Sequence, residues 1–352
     1  MLERFQRPVA ILSLDGGGIR GLIPTLVLKD LYRRIRELEA GRTGAARLLF
    51  GSRKARPIHS YFDLISGTST GALIALGISC PSRSRESEEL PAGRREPAYT
   101  IEDVERVYQE HGGDIFPRGG LNNLRAVAHA FESKYHSDAL SSLLESLFGD
   151  TTIDDALTEV IVPAYETVLR RAYFFKRSGR KNFRMRDVAL ATTAAPTYFP
   201  PALIRSVPDD GRSFSFIDGG VFANNPALCG YVEARELMPE RRKFIVLSLG
   251  TGITNRRFAH DEIRKWGYLD WVSPIHGVPL TSMMWDSQSE VVTHQLRLLP
   301  EVDVYRINAP LERVSEDFDD ASSKNLSRLR DKAEEIIEAE DATLEKVARL
   351  LV

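Results

Sequence analysis

A chain of 352 residues has room for two domains of about 150 residues each, or for one large α/β enzyme domain with a substantial core. Hydrophobic residues make up 43% and charged residues 27%, an ordinary globular balance that excludes a largely disordered or fibrous chain. With 47 Lys+Arg against 49 Asp+Glu the net charge is −2, so there is no global positive field to hold nucleic acid.

The N-terminal Met1–Pro8 lacks the long apolar core of a signal peptide. Val9–Leu14 then reads as a short buried strand that runs into Asp15-Gly16-Gly17-Gly18. A helix is expected from Gly21 onward: Pro24 suits its first turn, and Leu28, Leu31, Ile35 and Leu38 recur at helical spacing. A basic, glycine-containing stretch covers Gly41–Pro57. Tyr61–Ile65 is expected to be a second strand and Gly71–Gly77 a second helix. The uncharged run Leu64–Cys80 is short for a membrane span and carries Ser66, Thr68, Ser69 and Thr70 near one end, so it reads as strand end, turn and buried helix.

Ser82–Pro97 is a charged insert broken by proline and glycine. Thr100-Ile-Glu-Asp103 has capping-box spacing and should open a helix. Gly112–Asn123 reads as loop and Ser137–Phe148 as helix. Ile161–Phe175 is strand material with a turn, Phe183–Thr193 a helix, and the prolines of Pro196–Pro201 deny that segment regular structure. Phe214–Ile217 is a strand ending at Asp218-Gly219-Gly220, and Phe244–Leu249 a buried strand ending at Gly250-Thr-Gly252. Asp317–Val352 is mostly amphipathic helix. Buried strands separated by helices, without an internal repeat or a shift in composition, imply one α/β domain over residues 1–352. Its core is expected over about 9–255, with a C-terminal helical segment over about 317–352. In a largely parallel sheet ligand loops gather at strand C-terminal ends, so the loops at Asp15–Gly18, Gly67–Gly71 and Asp218–Gly220 could meet.

Gly67-Thr-Ser69-Thr-Gly71 fits the G-x-S-x-G elbow, in which a sharp strand-to-helix turn lifts a serine hydroxyl onto a helix N-terminus. Gly16-Gly-Gly-Ile-Arg-Gly21 matches G-x-G-x-x-G. It could hold a dinucleotide phosphate, supply oxyanion-hole amides, or be a structural turn. The dinucleotide reading wants a second strand ending in an acidic residue about 20 residues on. Glu37 and Glu39 fall there, but within the expected helix. A serine nucleophile needs a base, and none of the seven histidines lies at a clear strand end. Asp218 does, and could take the proton directly if desolvation raised its basicity; Asp-Gly-Gly is equally a common turn.

Taken together, Asp15–Gly21, Gly67–Gly71 and Asp218–Gly220 resemble the patatin-like phospholipase family. Ala194–Pro201, Asn224-Asn-Pro226, Leu247–Gly252, Lys265-Trp-Gly267 and Asp319–Ser322 add further similarity, and the resemblance runs from about Val9 to the C-terminal helix. It implies a three-layer α/β/α sandwich and hydrolysis of lipid acyl esters through an acyl-serine intermediate, with no metal or cofactor. Ser69 then matches the nucleophile and Asp218 the aspartate that activates it. Gly16, Gly17 and Gly18 match the oxyanion loop, and Arg20 its basic position, steadying the loop or a lipid phosphate. The implied partners are a phospholipid or galactolipid substrate and a transient peripheral membrane contact. Some bacterial relatives of this kind act as regulated anti-phage effectors, although no cyclic-nucleotide motif is recognisable here. The remaining alternatives are a nucleotide-binding oxidoreductase using Gly16–Gly21 and a catalytically idle storage or scaffold protein.

Three weaker signals remain. Arg170–Arg186 is very basic, and reads as a strand pair with a solvated turn at Ser178–Lys181 or as a patch for anionic lipid. Trp266, Tyr268, Trp271, Met283, Met284 and Trp285 are expected in the core, or else along an acyl-chain groove. Cys80 and Cys229 cannot form a disulfide framework, have no metal-site spacing, and read as inert residues of a reduced, cytoplasmic protein.

Overall fold

The computed structural model describes residues 7–42, 56–83, 95–115, 138–196, 198–271 and 278–352. In chain order the strands are β1 (Val9–Leu14), β2 (Leu64–Gly67), β3 (Glu159–Glu166), β4 (Arg171–Lys176), β5 (Ala202–Arg205), β6 (Ser213–Asp218), β7 (Phe244–Leu249) and β8 (Val302–Ile307). The longer helices are α1 (Leu22–Arg42), α2 (Thr70–Ser79), α3 (Ile101–Ile115), α4 (Asp138–Phe148), α5 (Met185–Thr193), α6 (Ala227–Leu237), α7 (Pro279–Arg297), α8 (Ser323–Ala339) and α9 (Asp341–Leu351).

All eight strands form one sheet of order β5-β6-β3-β2-β1-β7-β8, with β4 also paired to β3. The run β3-β2-β1-β7-β8 is parallel, while β4, β6 and β5 are antiparallel additions. β1, β2 and β7 are buried at every position, as strands covered on both faces must be. Alternation along β1 sends Ala10, Leu12 and Leu14 into a large core with α1, α2, α8 and α9, and Val9 and Ile11 into a smaller one with α6. Helices thus cover both faces, in the expected three-layer α/β/α arrangement.

The way β2 and β6 meet brings Ser69 and Asp218 together. β3 pairs with β2 through Glu159–Ile161 and with β6 through Ala164–Glu166, while β4 lies along Ile161–Glu166. A strand has only two edges, so β2 and β6 share one edge of β3 and abut end to end. The residue that ends β6, Asp218, therefore faces the turn that leaves β2.

Several boundaries differ from expectation. Ile58–Tyr61 is a 3-10 turn, and the second strand starts only at Leu64. α3 continues through Gly112 and Gly113 to Ile115; the rest of the expected loop, residues 116–123, lies outside the described residues, as do 43–55 and 84–94 of the two inserts. The Thr100–Asp103 capping box forms, with the Asp103 amide donating to the Thr100 hydroxyl and the Thr100 amide to the Asp103 carboxylate. β5, β8, α6 and α7 had no clear sequence signal. Several charges of the basic segment are paired: Lys176 with Glu233, Arg177 with Glu159, Lys181 with Asp210 and Arg184 with Asp150. Tyr173, Phe175 and Phe183 pack together in the core, so the strand-and-turn reading fits better than a lipid patch. Burial pushes the Cys80 and Cys229 thiols up to about 11, as inert cysteines require.

Candidate active site

Ser69 sits between the end of β2 and the first residue of α2 with φ 53 and ψ −123, a conformation that costs a non-glycine residue of order 1–3 kcal/mol. The chain holds it there by close approach on both sides. A Cβ on Gly71 would overlap the Leu14 carbonyl, and a Cβ on Gly67 would overlap the Gly71 carbonyl. Side chains then tie the turn down. The Ser69 amide donates to the Thr192 hydroxyl at 3.0 Å, which itself donates to the Pro163 carbonyl at 2.7 Å. Thr68 donates to the Ala223 carbonyl at 2.6 Å. The elbow is thereby anchored to α5, to β3 and to the segment after Asp218.

Asp218 is 3% exposed. Its amide donates to the Ala194 carbonyl at 2.9 Å, and its carboxylate accepts from the Gly220 amide at 2.6 Å. Ser69 and Asp218 line the same cavity. Burial pushes the Asp218 carboxyl up to about 7, against the opposing effect of the Gly220 amide and the Ser69 side chain. A carboxylate of that basicity, sharing a cavity with a serine hydroxyl, can act as a general base near neutral pH without a histidine.

The glycine loop approaches from β1. Gly18 has φ 59, and a Cβ there would overlap the Phe318 carbonyl. The three glycines are not equivalent. The Gly16 amide donates to the Asn224 carbonyl at 3.0 Å, and its carbonyl accepts from Thr251 at 2.7 Å. The amides of Gly17 and Gly18 meet no acceptor among the described residues, and both glycines line a cavity with Ser69 and Asp218. Tyr198, Phe199, Trp285 and Phe318 supply its aromatic wall.

Arg20 is buried but does not line that cavity. Its Nε donates to the Gly17 carbonyl at 3.4 Å, and its guanidinium stacks 4.1 Å above the Phe318 ring. Burial lowers it to about 10, and Nη1 has no hydrogen-bond partner. Of the two roles considered for Arg20, this geometry favours steadying the loop. Glu37 and Glu39 lie on α1, where neither ends a second nucleotide-fold strand.

The six aromatic and methionine residues expected in the core are not there. Tyr268 is 81% exposed, Met284 46%, and none of the six is buried. Trp285 alone joins the cavity wall. Sequence reasoning missed Thr192, which lies in a helix with no motif of its own. It also missed Arg306, on a strand without a clear signature. Asn224 and Thr251 stood within segments used only for resemblance.

Residues 12–228 match the family model described as patatin-like phospholipase. The chain is 29% identical to patatin-like protein 2 of Oryza sativa subsp. indica, over 91% of this chain and 82% of that protein. It is 32% identical to patatin-like protein 1 of the same rice, over 81% and 69%. It is also 29% identical to a Solanum tuberosum protein named "Probable inactive patatin-3-Kuras 1", over 97% and 92%.

Proposed function

The chain belongs to the patatin-like phospholipase family, and from that premise we propose that it is a lipid acyl hydrolase of phospholipase A type. In this reading it cleaves fatty-acyl esters of membrane phospholipids or galactolipids through a Ser69–Asp218 dyad. The observation that carries it is the buried Asp218 carboxylate, raised in basicity by that burial, lining one cavity with a strained elbow serine. Ser69 Oγ attacks the ester carbonyl while Asp218 takes its proton. The Gly17 and Gly18 amides receive the oxyanion, a narrower donor set than three glycines because Gly16 is already engaged. As the C–O bond breaks, Asp218 returns the proton to the departing alcohol. A water deprotonated by Asp218 then attacks the acyl-serine, and the proton passes to Ser69 Oγ as the fatty acid leaves. β8 extends the same sheet and α8 and α9 pack on α1, which supports one catalytic domain for the chain.

The dyad gives the pH dependence its sign. Only ionised Asp218 accepts a proton, so kcat/KM should be lost as pH falls through about 7 and level off above it. Fatty acid release from mixed phospholipid and galactolipid vesicles between roughly pH 5 and pH 9 tests both activity and base. No fatty acid release at any pH rejects the hydrolase reading; activity that stays flat below neutrality rejects Asp218 as the base.

Among the described residues no helix is long and apolar enough to cross a membrane. On α7, Leu280, Met284 and Val291 recur at intervals of four and seven residues and are 47%, 46% and 52% exposed. They form an outward apolar stripe, while Trp285 on the same helix lines the cavity. An exposed stripe of this kind, beside Tyr268 and Leu269 at 81% and 75% exposure, fits peripheral contact with a bilayer. Leu280→Asp with Met284→Asp should reduce vesicle hydrolysis by about tenfold or more while sparing a monomeric short-chain ester. Equal loss on both substrates, or on neither, rejects this face as the contact.

A further inference from the structure

Arg306 of β8 lies far outside the region matched to the family and outside every sequence motif. Its side chain nevertheless ends in the glycine loop. Nη2 donates to Asp15 Oδ2 at 2.5 Å and Nη1 to Asp15 Oδ1 at 3.0 Å, a two-pronged pair that is 9% and 4% exposed. The same guanidinium donates to Ser248 Oγ of β7 at 2.8 Å and to Ser289 Oγ of α7 at 2.9 Å. Four acceptors in a fixed fork hold the Asp15 carboxylate in one plane, as a lysine could not.

Asp15 is the hinge between β1 and the loop. Its amide extends the ladder by donating to the Leu249 carbonyl at 3.1 Å. Gly16 is clamped next, by Asn224 on its amide and Thr251 on its carbonyl. The next two amide N–H groups, of Gly17 and Gly18, are the ones that meet no acceptor among the described residues, and both glycines line the cavity. α7 holds the opposite loop as well: Gln288 accepts from the Asn224 amide at 3.4 Å and donates to the Val221 carbonyl at 3.2 Å.

We propose that Arg306 is a positioning residue: through Asp15 it sets the direction of the Gly17 and Gly18 amides on which oxyanion stabilisation depends. The proposal rests on the acyl-hydrolase reading. A buried ion pair by itself adds little stability over an apolar pair of similar size, so a role in aiming the loop gives these charges a function that stability does not. Misplacing an oxyanion donor by about 1 Å costs on the order of 10²-fold in rate.

The test separates aim from fold. Removing one partner strands a buried charge, so the informative variant is Asp15→Asn with Arg306→Met, which removes both charges together. It should unfold within a few degrees of the wild type yet hydrolyse a soluble short-chain ester with kcat lowered about 10²-fold and KM within about twofold. Fluorophosphonate labelling of Ser69 should slow in parallel. Arg306→Lys keeps the charge without the fork and should also lower kcat, by about tenfold or more, with KM unchanged. An active wild type whose folded double variant keeps its kcat overturns this proposal alone, and so does wild-type kcat in Arg306→Lys if the double variant does not fold. A wild type that hydrolyses no ester sinks the acyl-hydrolase reading and this proposal with it.

Discussion

Ser69→Ala protein is expected to fold like its parent and to release fatty acid from lipid vesicles at least about 10⁴-fold more slowly. The size follows from the role: without Oγ there is no atom to form the acyl-enzyme, and only binding and the loop amides remain to assist water. Folding should be spared because alanine has the same backbone demands at φ 53 as serine, and the Ser69 side chain faces the cavity. Mass spectrometry of the products from mixed phospholipid and galactolipid vesicles, with thermal unfolding as the control, checks this. Wild-type turnover from folded Ser69→Ala protein would reject Ser69 as the nucleophile. The outcome also decides between an active enzyme and an idle storage or scaffold protein, a distinction sharpened by the relative whose name marks it as inactive.

Asp218→Asn is expected to lower kcat by about 10³-fold and, at the same time, to make the protein more stable at alkaline pH. The first effect is loss of the proton acceptor. The second is linkage. The folded-state carboxyl titrates near 7, while its ordinary value is 3.8. Its contribution to stability is therefore fully present below about 3.8, and is lost progressively as pH rises through about 7, where a buried site must hold a charge. Asparagine carries no such charge. It can keep the acceptor for the Gly220 amide and an amide group toward Ser69. The unfolding midpoint of the variant should exceed the wild type's by a few degrees near pH 8, and by less near pH 5. A stability difference that does not grow with pH would show that desolvation of Asp218 is not the source of its basicity. Loss of activity coupled to gain in stability is the signature of a residue retained for chemistry against the preference of the fold.

Both predictions concern residues that could be read from the chain, and the reason is local. An elbow needs tiny residues two before and two after its serine because the turn brings backbone onto backbone, and Gly67 and Gly71 meet that need within five residues. The strand–loop–helix run from Val9 through α1 is likewise written in short-range periodicity and the glycines between. Asp218 was legible as the acidic end of a strand, although the parallel-sheet argument that brought it toward the site gave the wrong direction of approach. It arrives on an antiparallel strand and meets Ser69 because β2 and β6 share an edge of β3. The aromatic run Trp266–Trp285 misled, since composition alone cannot distinguish a buried cluster from a helix that turns apolar side chains outward.

What the sequence determined by itself was the choice of Ser69 and Asp218 as candidate groups and the sharp turn that presents Ser69, because sterics over a few residues permit little else. Tertiary structure decided what surrounds them. Burial from all sides raises Asp218, and a contact with Asn224 engages the Gly16 amide. A guanidinium 291 residues away along the chain pairs with Asp15 at the start of the glycine loop. Desolvation and strand-edge sharing depend on which distant segments close around a site, and no local pattern encodes that.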